Sequence, residues 1–290
     1  MANQWNADKP AIANTIAADM PDIEENFGWI EDVLKMLVGW KTSTLATVGP
    51  PGPQRSKFIS TSDTVITVEP GVYFHDGTTR QTVFWDVDLA FTVGSGGSNA
   101  SSEDLGASEW HYLYLDDSAI VTIDDSEIDN TCLVNNTTAP TWSDAKHGWY
   151  NGSDRCIFAF YSDGDSDILE FYHVGNFVLY ADMQAARTSA ALTTTWADVT
   201  VVAPGFTTET LNHFTSTYVD AATCHLYWRT NGQTGATGHH LGFVHTAPAY
   251  SCQTTRTISD SSQVIEIKHS SAGTNTAEVF TEGWYFPVGM

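Results

Sequence analysis

The spacing of apolar residues changes along the chain. Between residues 22 and 39, Ile23, Phe27, Ile30, Leu34 and Leu37 recur at intervals of four, three, four and three. That 3.5-residue repeat predicts a helix with one apolar seam. Asp22 and Glu25, with Pro21 just ahead, suit a capped start, and Gly39 suits a stop. Trp29, Val33, Met36 and Trp40 add apolar surface beside the seam, and acids are confined to Glu24, Glu25, Glu31 and Asp32. Two heptads are too few for a stable isolated coiled coil. The seam therefore packs either on copies of itself in a short bundle between subunits or on the rest of its own chain. Residues 1–21 show no period and predict an extended arm. On that arm Trp5 and Pro10 are candidates for anchoring in a partner's groove, the alternative for Trp5 being its own helix. Val48-Gly49-Pro50-Pro51-Gly52-Pro53-Gln54 then reads as a stiff linker and contains two Gly-X-Y triplets, compatible with three chains side by side.

From Phe58 onward the period is two. Strands are expected at 65–68, 71–75, 82–91, 110–115, 119–123, 155–161, 168–174 and 177–181. Asp76-Gly77, Gly94-Ser95-Gly96-Gly97, Asn151-Gly152, Asp163-Gly164 and Gly175-Asn176 mark turns between them. Small polar residues at 182–194 read as a linker or one short helix. A second series follows at 196–202, 211–218, 223–229, 241–245, 252–258, 264–269 and 276–286. The predicted fold class is mainly β: a short N-terminal arm and helix, then two β-sandwich or jelly-roll-like regions. The expected organisation is an arm and oligomerisation helix at 1–47, a Gly/Pro linker at 48–57, a first β domain at 58–181, a linker at 182–194 and a C-terminal β-sandwich head at 195–290.

Composition narrows the functions. Acids outnumber bases 35 to 12, for a formal charge of −23. Such a surface repels nucleic acid and anionic membranes, and no basic cluster offsets it. Few Lys with many acids suits a marine or saline setting, where salt screens self-repulsion. No apolar run is long enough for membrane insertion. Residues 1–21 have neither the basic start nor the apolar stretch of a secretory signal. Cys132, Cys156, Cys224 and Cys252 lack zinc-ligand spacing, and are read either as small buried hydrophobes or as two disulfides.

No G-x-S-x-G elbow, H-E-x-x-H pair, Walker loop or dinucleotide fingerprint occurs in the chain. The chain is therefore read as non-enzymatic and without a cofactor. Asp163, Asp165 and Asp167 have the oxygen spacing of a calcium loop, but Ile168 stands where that loop needs Gly. A solvated acidic turn is the competing reading. His239 and His240, with His225 and His245, are a weak metal candidate, because adjacent strand residues point to opposite faces. Glu170 and Glu209 are isolated acids that a sugar-cleaving site would need in a pair. Among the many aromatics, Trp142, Trp149 and Tyr150 sit next to Gly148 and Asn151-Gly152. Their loop setting makes them the candidate receptor or glycan contacts.

The order of parts resembles tail-fibre and spike proteins of tailed bacteriophages. Trp5-Asn6-Ala7-Asp8-Lys9-Pro10, the acidic capped helix at 22–39 and the Gly-Pro linker are similar to the attachment arms that open such fibres. Trp196-Ala197-Asp198-Val199 through Gly283-Trp284-Tyr285 resembles the compact trimeric heads that close them. Only about twenty helical residues and no shaft are present, which favours a short fibre or spike. The resemblance implies a homotrimeric virion component made in the host cytoplasm. It would attach by its N-terminus to other virion proteins and contact a host-surface glycan or protein. A capsid decoration or head-fibre protein without receptor role, and a glycan-binding or glycan-cleaving β-sandwich enzyme, are the alternatives.

Overall fold

The computed structural model describes residues 56–123, 127–218, 224–235, 238–241, 249–271 and 275–290. The arm with Trp5 and Pro10, the seam of Ile23, Phe27, Ile30, Leu34 and Leu37, and nearly all of the Gly-Pro linker lie outside them.

The fold is mainly β, in several antiparallel sheets. β1 (Phe58–Ser62) and β2 (Val65–Val68) form a hairpin, as do β3 (Gly71–Asp76) and β4 (Arg80–Trp85). β5 (Leu89–Thr92) returns to pair with β2. The run at 82–91, expected as one strand, is thus two. Asp86 and Asp88 break it and leave Val87 exposed between β4 and β5. β6 (Trp110–Leu115) is buried at every position, which suits the centre of a sheet. The strand expected at 119–123 is instead a single helical turn, α1 (Asp117–Ile120). Asp116 caps it, its Oδ1 accepting from Ser118 N at 2.9 Å, and this local capping overrides the β-branched content. A 3-10 turn at Asn130–Cys132 leads into β7 (Leu133–Asn136), followed by β8 (Thr141–Ser143), β9 (Gly148–Asn151) and β10 (Asp154–Tyr161). These make a five-stranded sheet in the order β7-β6-β10-β9-β8.

The rest of the chain forms β11 (Phe171–Val174), β12 (Phe177–Ala191), β13 (Ala197–Thr200), β14 (Thr208–Tyr218), β15 (Leu226–Thr230), β16 (His239–His240), β17 (Ala249–Ser259), β18 (Val264–His269) and β19 (Thr276–Tyr285). They pair as a five-stranded sheet, β11-β12-β19-β14-β17, and a four-stranded one, β13-β18-β15-β16. The linker expected at 182–194 is a correction: β12 continues through it to Ala191, paired with β19 across several register shifts. Met, Gln, Ala and Arg in this stretch favour helix and Thr favours strand, so the pairing with β19 overrides local preference.

Two hydrophobic clusters result. The larger gathers β1, β2, β6, β7 and β10 with Phe171, Val178 and Tyr180, but also takes Phe206, Trp284, Phe286 and Met290 from the far end of the sequence. The smaller lies between the two later sheets around Leu226, Ile265, Ile267, Phe214 and Val279. One long strand and one interior therefore cross the boundary expected near residue 190.

Candidate functional site

The β8–β9 hairpin carries the three aromatic candidates. Trp142 pairs with Trp149 across it, rings edge-to-face at 5.8 Å. The Trp142 indole N–H donates to Asp144 Oδ1 at 2.7 Å, and this side chain remains 40% exposed. Trp149 is covered more: its N–H donates to the Val288 carbonyl at 2.9 Å, and its ring meets Phe206 at 5.0 Å. Tyr150 is 3% exposed, and its hydroxyl accepts from Asp76 N at 3.0 Å. Tyr150 is thus corrected from a surface contact to a core residue, since its place in β9 turns it inward toward Arg155. Gly289 explains how the chain's last residues cover this hairpin: a side chain there would collide with the Trp142 ring. Of the three, Trp142 is the exposed one, Trp149 is half-buried and Tyr150 is buried.

Beside this hairpin lies a cavity of about 420 Å³, in the range of small-ligand sites. The β9–β10 turn supplies Asn151, Gly152, Ser153 and Asp154; β7 supplies Val134 and Asn136; α1 and its cap supply Asp116, Asp117 and Ser118. Ser101 and Tyr114 complete the lining. No Lys or Arg lines it. The carboxylates are held by different means. Asp116 Oδ2 accepts from Asn99 Nδ2 at 2.8 Å. Asp117 Oδ1 accepts from Thr78 N at 2.9 Å and lies 2.9 Å from His75 Nε2, while Oδ2 accepts from the Thr78 hydroxyl at 2.5 Å. Gly77 permits this approach, because a side chain there would strike Asp117 and His75. Asp154 Oδ1 accepts from Asp117 N at 2.9 Å.

Their acidities diverge. Burial pushes Asp154 above the ordinary carboxylate range, and the nearby charges of Asp116 and Asp117 add to that. Burial works on Asp117 in the same direction. There the hydrogen bonds from Thr78 and His75 outweigh it and hold the group below its usual value. Two carboxylates whose proton affinities are pushed apart thus line one cavity. In the sequence, Asp116-Asp117 stands in no catalytic motif. The signals that mark it are the D-x-S start of a helical turn and the Asp76-Gly77-Thr78 hairpin tip, which meet only through the fold.

The remaining candidates are placed as follows. Asp163 Oδ1 accepts from the backbone N–H groups of Asp165 and Asp167 at 2.9 and 3.1 Å, so the acidic turn closes on itself. Among the described residues no three His, Cys, Asp or Glu side chains are grouped to hold a metal ion. His239 stacks on Trp228 at 4.5 Å, whereas His240 packs on Tyr227 and approaches His225 Nδ1 at 2.6 Å. The adjacent histidines do face opposite ways; His245 lies outside the described residues. Glu170 accepts from the Tyr172 hydroxyl at 3.2 Å, and Glu209 pairs with Arg256. All four cysteines are free: Cys132, Cys156 and Cys224 are buried, and Cys252 is exposed. No described helix is long and apolar enough to cross a membrane. No protein-family model matches the chain, and no curated protein matches it.

Proposed function

We propose that this chain is a non-enzymatic subunit of a virion, a short tail fibre or spike, built as a homotrimer whose β region contacts neutral glycan on a host surface. The observation that carries the glycan part is the cavity at α1, β7 and the β9–β10 turn. Serine hydroxyls, asparagine amides and carboxylates line it, and no cationic side chain does. Such groups exchange hydrogen bonds with sugar hydroxyls and repel anionic ligands. Trp142, exposed on the β8–β9 hairpin, offers an aromatic surface as a further contact. The trimeric and virion parts are supported by the heptad seam, the Gly-Pro triplets and the fibre-like order of parts. The test is binding of the full chain to immobilised neutral and sialylated glycans. Retention of a neutral glycan, weakened at least about tenfold by Asn136→Ala with Ser153→Ala, is expected; such a change is about 1.4 kcal/mol of binding. Binding confined to sialylated glycans, or untouched by that pair, would contradict the reading.

A second reading, a glycan-cleaving enzyme, is favoured by the raised Asp154 beside the lowered Asp117. Asp154 would then protonate the leaving oxygen, and Asp117 would act as the ionised partner. Release of reducing ends from a bound glycan, abolished by Asp154→Asn, would replace the first reading with this one.

A further inference from the structure

Fifteen residues apart in sequence, His225 and His240 are brought together by the pairing of β15 with β16. His225 directly precedes β15, and His240 stands opposite Tyr227 at the end of β16. Both backbones are held by described neighbours. His225 N donates to Ser270 Oγ at 2.9 Å, and Ser270 N donates back to the His225 carbonyl at 2.9 Å. Leu241 N donates to the Leu226 carbonyl at 3.1 Å, which fixes the chain just after His240. The two imidazoles share the side of Tyr227, whose ring centroid lies 6.3 Å from that of His225 and 5.2 Å from that of His240. His239 turns to the opposite face, against Trp228.

His225 Nδ1 and His240 Nε2 are 2.6 Å apart, with ring centroids at 4.5 Å and planes tilted by 47°. The rings thus meet nitrogen to nitrogen. His75, His111, His213 and His269 each place a ring nitrogen against a carboxylate or hydroxyl oxygen instead. A neutral imidazole nitrogen is either an N–H donor or a lone-pair acceptor. One proton can join two such nitrogens, and so can one metal ion, which takes a lone pair from each. An imidazole nitrogen binds a divalent first-row ion at about 2.0–2.1 Å, so two of them are about 2.9 Å apart on neighbouring corners of a square and about 3.3 Å apart on a tetrahedron. The observed separation is nearer the square arrangement, which Cu²⁺ and Ni²⁺ prefer. His225 is half-buried and His240 exposed, so a small movement of the rings disturbs no core packing. Lys268 lies across Tyr227 from His240, because β15 runs between β18 and β16. The formal charge of −23 on the chain favours cations near its surface.

We propose that His225 and His240 form a two-histidine site for a divalent transition metal of square or octahedral coordination, Ni²⁺ or Cu²⁺, with water completing the coordination. The site shares no residue with the cavity at α1 and rests on neither the glycan nor the trimer reading. The test is calorimetric titration of the full chain with Ni²⁺, which suits imidazole nitrogen better than carboxylate oxygen. Saturable uptake is expected. His225→Ala and His240→Ala should each weaken it at least about tenfold, or about 1.4 kcal/mol, whereas His239→Ala should leave it unchanged. Circular dichroism identical to that of the wild type shows that the variants remain folded. As a second readout, Cu²⁺ on the wild-type chain should show electron-spin coupling to two imidazole nitrogens, reduced to one in His225→Ala or His240→Ala. Absence of saturable uptake up to millimolar Ni²⁺, leaving a shared proton as the whole interaction, would overturn the proposal. Equal uptake by the wild type and all three variants would overturn it too.

Discussion

Around Phe158 the interior is nearly all ring. Phe58 stacks on Phe158 at 4.2 Å, and Phe171, Phe286 and Trp284 surround the pair within 6.2 Å. Around Asn212, under the same long sheet, it is largely hydroxyl and amide. Asn212 Nδ2 donates to the hydroxyls of Thr210 and Thr257, both at 2.7 Å, and those hydroxyls lie 2.8 Å apart. Thr208, Ser216, Thr281 and His269 are buried there too. The first interior gains its stability from apolar area and close packing. The second has less apolar area and depends on hydrogen bonds among buried hydroxyls and the Asn212 amide N–H groups. The two should therefore fail in different ways.

The largest expected effect lies in the ring-filled interior. Phe158→Ala removes a side chain that touches several rings and should cost about 3–5 kcal/mol in urea unfolding. A loss below about 1 kcal/mol would mean that this interior is not closely packed. Next comes acid sensitivity in the second interior. Burial lowers His269 from its ordinary value to about 4, and the Arg187 charge adds to this. The folded state thus holds the neutral imidazole, and the unfolded chain binds a proton first as pH falls. His269 contributes fully above about pH 6.5, and the contribution is lost as pH falls from there through about 4. The loss approaches about 3 kcal/mol. His269→Gln should flatten the pH dependence of the urea midpoint over that window; an unchanged slope would contradict the assignment.

Smaller effects sharpen the polar half of the comparison. Asn212→Ala should cost about 1–3 kcal/mol, since it removes a donor from each of two buried hydroxyls and leaves them only each other. Thr210→Val combined with Thr257→Val in that background should recover part of the loss, a coupling that a double-mutant cycle measures. A purely additive result would deny the network. Smallest is Asp154→Asn at the cavity. It keeps an acceptor for Asp117 N and removes a charge that the site disfavours. The urea midpoint at neutral pH should rise slightly.

The contrast also explains what could be read from the sequence. Strands with strong alternation and aromatic or β-branched residues were legible: the expected 65–68, 110–115 and 264–269 coincide with β2, β6 and β18. Residues 182–191 were not, because their Ala, Met, Gln and Arg favour helix and only the pairing with β19 makes them a strand. The buried threonines were not either. Thr208, Thr210, Thr257 and Thr281 look like the polar face of half-exposed strands, yet they point inward and satisfy one another or the backbone. At the candidate site Trp142, Trp149 and Tyr150 were read as loop residues but lie in β8 and β9, and the covering of Trp149 by Phe206 and Val288 depends on contacts across more than fifty residues. Asp116, Asp117 and Asp154 meet through α1, whose last two residues lay inside an expected strand.

Trimeric assembly is the central claim, and the mass of the intact chain in solution tests it most directly. Light scattering at moderate salt should give about three times 31.7 kDa. A single species at 31.7 kDa would contradict the account and leave the seam of Ile23, Phe27, Ile30, Leu34 and Leu37 to pack within its own chain.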